Sequence, residues 1–185
     1  MSNFVANVLK LVSGSVASQI LGIILVPLLT RIYSPDDLGV FQLFVSISGI
    51  LVIFSTFSYQ FAIMLPKTEE ESANVVSLCA ILVTLTSLFT AIAVIIFPED
   101  IEHILNAPGI SKYLIYLPAI VFFNGLFFAQ NYWLSRKIRF GVIAGSRILN
   151  TLSTKVFQLA IAIWSVSPLG LIVGYVAGYG FANLF

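Results

Sequence analysis

Long apolar stretches alternate with short polar connections along the whole chain. Each stretch is near or above the ~20 residues that an α-helix needs to cross a bilayer, and the connections contain prolines and acidic residues that end helices. The pattern predicts six membrane-spanning helices, at residues 11–30, 38–65, 72–97, 113–134, 146–164 and 168–185. We therefore expect an all-α, polytopic membrane protein.

Composition agrees with this prediction and excludes other classes. Hydrophobic residues make up 59% of the chain and charged residues 9%, with a mean hydropathy of +1.03, whereas soluble proteins carry about 25% charged residues. The formal net charge of +1 and the lack of an extended basic face speak against nucleic-acid binding. A single cysteine, Cys79, and a single histidine, His103, offer neither an internal disulfide nor a zinc site, and we expect no metal and no cofactor.

The distribution of cations over alternate connections predicts the orientation, because Lys and Arg are retained on the cytoplasmic side of a membrane. One side of the predicted arrangement holds Arg31 and Lys112. The other side holds Lys10, Lys67, Arg136, Lys137, Arg139 and Arg147. We therefore expect a cytoplasmic N-terminus, with the cations of the fourth connection acting as topology determinants or attracting anionic lipid headgroups.

The fifth span carries a polar stripe. At 100° per residue, its polar residues fall within an arc of roughly 140° on a helix. They are Arg147, Asn150, Thr151, Thr154, Lys155 and Gln158. Polar groups at membrane depth need water or protein partners, so the stripe faces either a hydrated cavity or a neighbouring helix. Lys155 can alternatively snorkel to the cytoplasmic interface, since it lies only about 12 Å beyond Arg147 at the helical rise.

Other spans also carry polar faces. In the second and fourth spans the aligned residues are Gln42, Ser46, Gly49, Thr56 and Gln60, and Asn124, Asn131 and Ser135. Interhelical hydrogen bonding and a shared wet surface explain the face of the second span equally well. In the first span Gln19 shares a face with small residues, whose spacing by four favours close helix packing. The small residues are Gly14, Ser18 and Gly22 in the first span and Gly170, Gly174 and Gly178 in the sixth.

All eight carboxylates lie in the connections or at their edges. Proton and sodium relays in transporters generally use acids buried within the spans. The deep ionisable group of this chain is instead a cation, Lys155, and a cation in a hydrated cavity suits an anionic substrate. Arg31, at the end of the first span, is either an interface anchor or a further cation of this kind.

Two runs resemble a known family. The run from Leu28 to Phe41 (LLTRIYSPDDLGVF), which follows SQILG at residues 18–22, looks like the beginning of the Wzx-type polysaccharide flippases, and residues 130–158 are similar to the fourth-to-fifth helix region of that family. The family belongs to the multidrug/oligosaccharidyl-lipid/polysaccharide superfamily, whose members have two lobes of six helices around a central cavity. The resemblance implies that residues 1–185 form the N-terminal lobe and that a comparable second lobe is missing from this sequence.

The resemblance further implies a function. It indicates a transporter, not an enzyme, that moves undecaprenyl-pyrophosphate-linked oligosaccharide across the bacterial inner membrane by alternating access, for surface polysaccharides such as the O-antigen of lipopolysaccharide. Its expected headgroup-binding cations are Arg31, Arg147 and Lys155. Its expected polar cavity lining is Gln19, Gln42, Gln60, Asn124, Asn131, Asn150 and Gln158. Membrane lipid and other polysaccharide-assembly proteins are further expected partners.

Other functions are compatible with the sequence. A cation-coupled multidrug exporter of the same superfamily would bind cationic drugs through buried acids, which this half lacks but a missing half could supply. A membrane-embedded polysaccharide polymerase or transferase would need acids or bases that converge on one site, and the acids of the connection 98–112 show no spacing that selects a reaction. A non-transporting scaffold is a third alternative.

Overall fold

The computed structural model describes residues 2–184, with the side chains of all but residues 2–8 and 10. The regular structure in this part of the chain is entirely helical. The α-helices are α1 (Ser2–Ile32), α2 (Pro35–Ser55), α3 (Glu69–Ile96), α4 (Pro98–Leu105), α5 (Ser111–Leu114), α6 (Leu117–Arg136), α7 (Phe140–Ala162) and α8 (Pro168–Ala182). A 3₁₀ helix, Tyr59–Met64, lies between α2 and α3.

This architecture confirms the predicted fold class. The predicted spans correspond to α1, α2, α3, α6, α7 and α8. Three helical segments are long and apolar enough to cross a membrane: Leu11–Ile32, Pro35–Ser55 and Glu69–Ile96. Helix α8 is apolar but shorter, and α6 and α7 carry the amides and cations that interrupt their apolar sequence. The chain is therefore a polytopic helical membrane protein.

The connection between α1 and α2 turns where the sequence predicts. The Ser34 hydroxyl accepts a hydrogen bond from the Asp37 backbone N–H (3.1 Å), and the Asp37 carboxylate accepts one from the Ser34 N–H (3.1 Å). Pro35 occupies the first turn of α2, where its missing N–H needs no partner. This capping box satisfies N–H groups that a helix start leaves free, so local chemistry ends one helix and begins the next.

The second predicted span, 38–65, differs from the structure. Helix α2 ends at Ser55, ten residues earlier than the predicted span. Phe57 and Ser58 then adopt positive φ angles of 47° and 64° before the 3₁₀ helix begins. A left-handed conformation costs an L-residue about 1–2 kcal/mol, so contacts from elsewhere in the fold must hold this turn.

Side-chain hydrogen bonds hold the turn after α2. The Thr56 hydroxyl donates to the side-chain oxygen of Gln60, and the Ser72 hydroxyl of α3 donates to the Ile63 carbonyl (3.1 Å). Such bonds satisfy polar groups that would otherwise be unpaired where a helix is interrupted in a membrane. Because the helix is interrupted, Gln60 does not continue the polar face on which Gln42 lies.

Arg136, at the end of α6, holds the segment that leads into α3. Its guanidinium donates to the backbone carbonyls of Ile63 (3.2 Å), Met64 (3.2 Å), Pro66 (2.7 Å) and Thr68 (3.3 Å). The neighbouring Lys137 forms an ion pair with Glu69, and its Nζ lies 4.8 Å from the centre of the Trp133 ring. These two cations therefore fix the beginning of α3 to the end of α6.

Helix α7 packs between α1 and α8 through small residues. A Cβ atom added to Gly14 of α1 would overlap Ala144 of α7, and one added to Gly178 of α8 would lie 2.8 Å from the Cα atom of Thr154. These contacts confirm the small-residue packing predicted for the first and sixth spans. The remaining long helices form a second group, in which α3 packs on α6 and α2 contacts α6 and α8.

Candidate functional site

A cavity of about 470 Å³ lies among α1, α6, α7 and α8. Its lining combines amides, hydroxyls, a cation and aromatic rings. The lining residues are Ser18, Asn124, Phe127, Phe128, Asn131, Tyr132, Ser135, Arg147, Asn150, Thr151 and Tyr179. The polar faces of the fourth and fifth spans therefore meet at one shared cavity, where the two groups of helices adjoin.

Helix α6 contributes the longest part of this lining. Asn124, Asn131 and Ser135 are spaced by seven and four residues, which places them on one side of a helix. The Asn131 Nδ2 donates to the Phe127 carbonyl (2.6 Å), and the Ser135 hydroxyl donates to the Asn131 carbonyl (2.7 Å). The alignment predicted for the fourth span is present, and bonds to the helix backbone fix its side chains.

Arg147 of α7 places a positive charge in the lining. Its Nη1 donates to the Ser15 hydroxyl of α1 at 2.7 Å. Among the described residues, the ion pair between Lys137 and Glu69 is the only one, so no carboxylate pairs with Arg147. An arginine stays charged at physiological pH and has five N–H donors. Most of its hydrogen-bonding capacity therefore remains for a ligand or for water.

Tyr179 forms the part of the cavity wall that belongs to α8. Its ring meets that of Phe127 edge-on, with centroids 5.6 Å apart. Tyr175, one turn earlier, has its ring centroid 5.2 Å from that of Tyr179 and meets the Phe41 ring of α2 edge-on, with centroids 5.8 Å apart. A series of aromatic contacts therefore connects α2 with the cavity through α8.

The structure separates the predicted binding residues into three settings. Those that line the cavity are Asn124, Asn131, Arg147 and Asn150. Those exposed on the surface of the chain, outside the lining, are Gln19, Arg31 and Gln42. Those in contacts within the fold, also outside the lining, are Gln60, Lys155 and Gln158. The structure thus brings one predicted cation and three predicted amides together.

Gln158 and Lys155 lie further along α7. Gln158 is fully buried: its Nε2 donates to the Leu171 carbonyl of α8 (2.9 Å), and its own backbone carbonyl accepts a bond from the Tyr33 hydroxyl (2.8 Å). Lys155 is half-buried, and its Nζ lies 3.4 Å from the Gln158 Oε1. In this part of the stripe the polar groups meet a neighbouring helix instead of a cavity.

The aromatic part of the lining was missing from the sequence-based prediction. It consists of Phe127, Phe128, Tyr132 and Tyr179. Phe127 and Phe128 each lie three or four residues from both Asn124 and Asn131, which is the spacing of one helix face and could have identified them. Tyr179 gives no such indication, because the apolar, glycine-rich sequence of α8 does not determine which side faces a cavity.

The fold and the cavity define a class: a polytopic helical membrane protein with a polar, cation-bearing cavity among its helices. A model of the polysaccharide biosynthesis protein family matches residues 28–184. The chain therefore belongs to this family, and it is a membrane protein of polysaccharide biosynthesis. No curated protein and no solved structure matches the chain.

Proposed function

We propose that this protein is a flippase for a lipid-linked oligosaccharide. It moves undecaprenyl-pyrophosphate-linked oligosaccharide from the cytoplasmic to the outer leaflet of the bacterial inner membrane, for surface polysaccharide such as O-antigen. It acts as a transporter and not as an enzyme. Residues 1–185 form its N-terminal lobe, and the cavity described above is the part of the transport path that this lobe contributes.

Arg147 in a polar cavity is the observation that carries the proposal. A charge at membrane depth is costly unless a partner or water compensates it, and no carboxylate among residues 2–184 pairs with this one. A substrate with an anionic headgroup supplies that compensation, while its lipid tail remains in the bilayer. The same substrate also needs a polar surface for its glycan, and the amides of the lining provide one.

The arrangement of the helices suits alternating access, which requires a cavity that opens on one side at a time. Helix α7 packs closely on α1 and α8 but makes few contacts with α6. Both α6 and α7 line the cavity. A displacement of α6 relative to α7 would therefore change the width of the cavity with little loss of packing, while a second lobe closes the opposite side.

Complementation of cells that lack their own flippase tests the proposal. The complete gene product should restore surface glycan, and Arg147→Ala should reduce it by roughly tenfold or more at matched membrane abundance, because a charged hydrogen-bond donor is lost. Arg147→Lys keeps the charge without the planar guanidinium and should retain part of the activity. Arg139→Ala is the matched control, since it removes an exposed arginine outside the cavity lining.

Three results would overturn the proposal. Unchanged export by Arg147→Ala would mean that the cavity is not part of the transport path. Resistance to cationic dyes without any restored glycan would instead support the multidrug exporter. Normal glycan export by the protein with a strong loss in Arg139→Ala alone would assign the function to the cytoplasmic turn.

A further inference from the structure

We infer that the cavity opens sideways into the bilayer between α1 and α6, and that the undecaprenyl chain of the substrate lies in this opening against the rings of Phe128 and Phe61. This inference rests on the proposed function, because it assigns the lipid tail of the same substrate to a defined surface beside Arg147. Three observations lead to it: a gap in the helix packing, an exposed aromatic surface at the gap, and the position of Arg147.

The helices around the cavity leave one side without a wall. Helix α7 packs on α1 and α8, and α8 in turn packs on α6. In the described part of the chain, α1 and α6 make at most marginal contact with each other, although both line the cavity. The cavity is therefore bounded by α7 and α8 at the back and by α1 and α6 at its flanks, and it is open between the two flanking helices.

Phe128 of α6 marks the position of this opening. Of the described lining residues it alone is exposed, with 45% of its surface accessible. It lies about two turns before Arg136, the last residue of α6, or roughly 12 Å at the helical rise. The hydrocarbon core of a bilayer is about 30 Å thick, so an exposed side chain at this depth meets lipid or another protein, not bulk water. The opening is therefore lateral.

An exposed aromatic surface continues from the opening. Tyr132 lines the cavity one turn from Phe128, and its ring meets that of Phe61 edge-on, with centroids 5.2 Å apart. Phe61 is 57% exposed and belongs to the 3₁₀ helix that follows the interruption of α2. The interruption thus places a second exposed ring beside the opening. A hydrocarbon chain suits this surface, because it gains dispersion contacts along its length and needs no hydrogen-bond partner.

Arg147 determines which part of the substrate meets the opening. Its guanidinium reaches from α7 to the Ser15 hydroxyl of α1, so the charge lies close to one of the two helices that border the opening. In a lipid-linked oligosaccharide the diphosphate joins the chain to the glycan. A diphosphate beside Arg147 therefore leaves the glycan in the polar cavity and directs the chain outward between α1 and α6. Charge complementarity next to an apolar rim favours this chain over a helix of another protein as the occupant.

Photo-crosslinking tests the inference. In cells that lack their own flippase, a benzophenone side chain replaces Phe128 or Phe61 of the complete gene product, and lipid adducts are identified by mass spectrometry after irradiation. Leu78 is the matched control: it is exposed on α3, and its neighbour Cys79 shares a buried cluster with Ala129, so it meets the bilayer at the depth of Phe128. We expect the ratio of undecaprenyl adducts to phospholipid adducts to be several-fold higher at Phe128 and Phe61 than at Leu78.

Equal ratios at the three positions, in a protein that restores surface glycan, would overturn the inference and leave the proposed function standing. Adducts with protein in place of lipid at Phe128 would overturn it as well, because a second lobe or another protein would then cover the opening. If the unsubstituted protein restores no surface glycan, the proposed function itself fails, and the inference fails with it.

Discussion

Among single residues, the glycines of α8 determine how closely that helix approaches α7. A Cβ atom added to Gly178 would lie 2.8 Å from the Thr154 Cα atom and would overlap the Thr154 hydroxyl. Because backbone atoms cannot move aside as the end of a side chain can, Gly178→Ala forces the helices apart. We expect this variant to lose about 1–3 kcal/mol of stability, measured by SDS-induced unfolding in detergent micelles.

Gly49 of α2 offers the control for this substitution. A Cβ atom added there meets no atom within 4 Å. Gly49→Ala should be neutral or should stabilise the protein by up to about 1 kcal/mol, since alanine is the better helix former. Similar losses in both variants would mean that the contact between α7 and α8 does not depend on the absence of a side chain.

The turn between α6 and α7 contains a strained residue. Ile138 has a φ of 55°, which is a genuine outlier for a β-branched residue. Its side chain is 62% exposed, so little burial offsets the strain. Glycine adopts this conformation readily, and Ile138→Gly should therefore stabilise the protein by up to about 1 kcal/mol in the same unfolding assay.

Val156→Gly tests whether relief of strain explains that gain. Val156 is a similarly exposed β-branched residue, but it lies inside the regular helix α7. Glycine in a helix interior is unfavourable, so this variant should lose about 1 kcal/mol. If Ile138→Gly also loses stability, strain at position 138 is not significant.

Periodicity predicts much of the cavity wall, but it does not predict which segment of the chain covers the rest of each polar face. Asn124 and Asn131 share one face of the fourth span, Arg147 and Asn150 share one face of the fifth, and the structure brings both pairs to one cavity. Gln158 belongs to the same predicted arc as Arg147, yet its Nε2 binds the backbone of α8. A sequence indicates which side of a helix is polar, whereas the segment that covers it depends on contacts between distant parts of the chain.

Among the structural elements, α3 and α6 are joined by Arg136. Its guanidinium reaches several carbonyls of the segment 63–68 from the end of α6. Because a hydrogen bond from a charged donor contributes roughly 1.5–3 kcal/mol, Arg136→Ala should lose about 2 kcal/mol of stability. It should also make the segment 63–68 more susceptible to protease in inside-out membrane vesicles.

Two further variants separate the carbonyl contacts from the charge. Arg136→Lys keeps the positive charge but lacks the planar fork of donors, so it should recover only part of the lost stability. Arg139→Ala removes an exposed arginine of the same turn and should change stability and cleavage little. Equal behaviour of Arg136→Ala and Arg139→Ala would assign the effect to positive charge at this end of the bundle.

The connection between α4 and α5 is organised by one carboxylate. Glu102 accepts hydrogen bonds from the backbone N–H groups of Gly109 (2.8 Å) and Ser111 (3.1 Å). A hydrogen bond with the Ser111 side chain, together with these backbone bonds, lowers the pKa of the Glu102 carboxyl below its usual value. The contribution to stability is therefore present above the unfolded-state pKa and is lost as the pH falls through the lower folded-state pKa.

Hydrogen exchange measures this pH dependence. We expect the Gly109 and Ser111 amides to lose protection, after correction for the intrinsic exchange rate, as the solution becomes acidic enough to protonate Glu102. Glu102→Gln keeps the shape of the side chain without the charge, so it should show weaker protection at neutral pH and no such transition. Protection in the unsubstituted protein that is constant from neutral to acidic pH would contradict the role of the carboxylate.

The two ends of α2 differ in how far the sequence predicts them. Its beginning follows from a local motif, in which Ser34 and Asp37 cap each other. Its end has no local marker, because Phe57 and Ser58 adopt positive φ angles although neither is glycine. The carbonyls of the segment that follows are bound from α3 and α6, so the interruption depends on residues distant in sequence, such as Arg136.

Across the whole molecule, the two connections predicted to be cytoplasmic lie at the same end of the helix bundle. Arg136 binds the segment 63–68, and Lys137 pairs with Glu69. An up-and-down arrangement of spans requires these connections to share an end, and the order of the apolar segments in the sequence predicts this. The excess of Lys and Arg at this end predicts that it faces the cytoplasm.

Thiol labelling of single-cysteine variants measures this orientation. Cys79 is fully buried and can stay in place as an unreactive background. We expect Asp36→Cys and Glu99→Cys to react with a membrane-impermeant maleimide in intact spheroplasts, and Glu70→Cys to react only after permeabilisation. All three substituted positions are exposed on the surface of the chain, so a difference between them reports the membrane and not burial in the protein.

The orientation decides whether the cavity is placed for its proposed substrate. Arg147 lies about two turns into α7 from the end that carries Arg139. With that end in the cytoplasm, the charged part of the cavity is within reach of an oligosaccharide assembled on the cytoplasmic leaflet. The reverse labelling pattern would place Arg147 near the outer surface, where it would meet the substrate after transport, and loading from the cytoplasmic leaflet would then need another site.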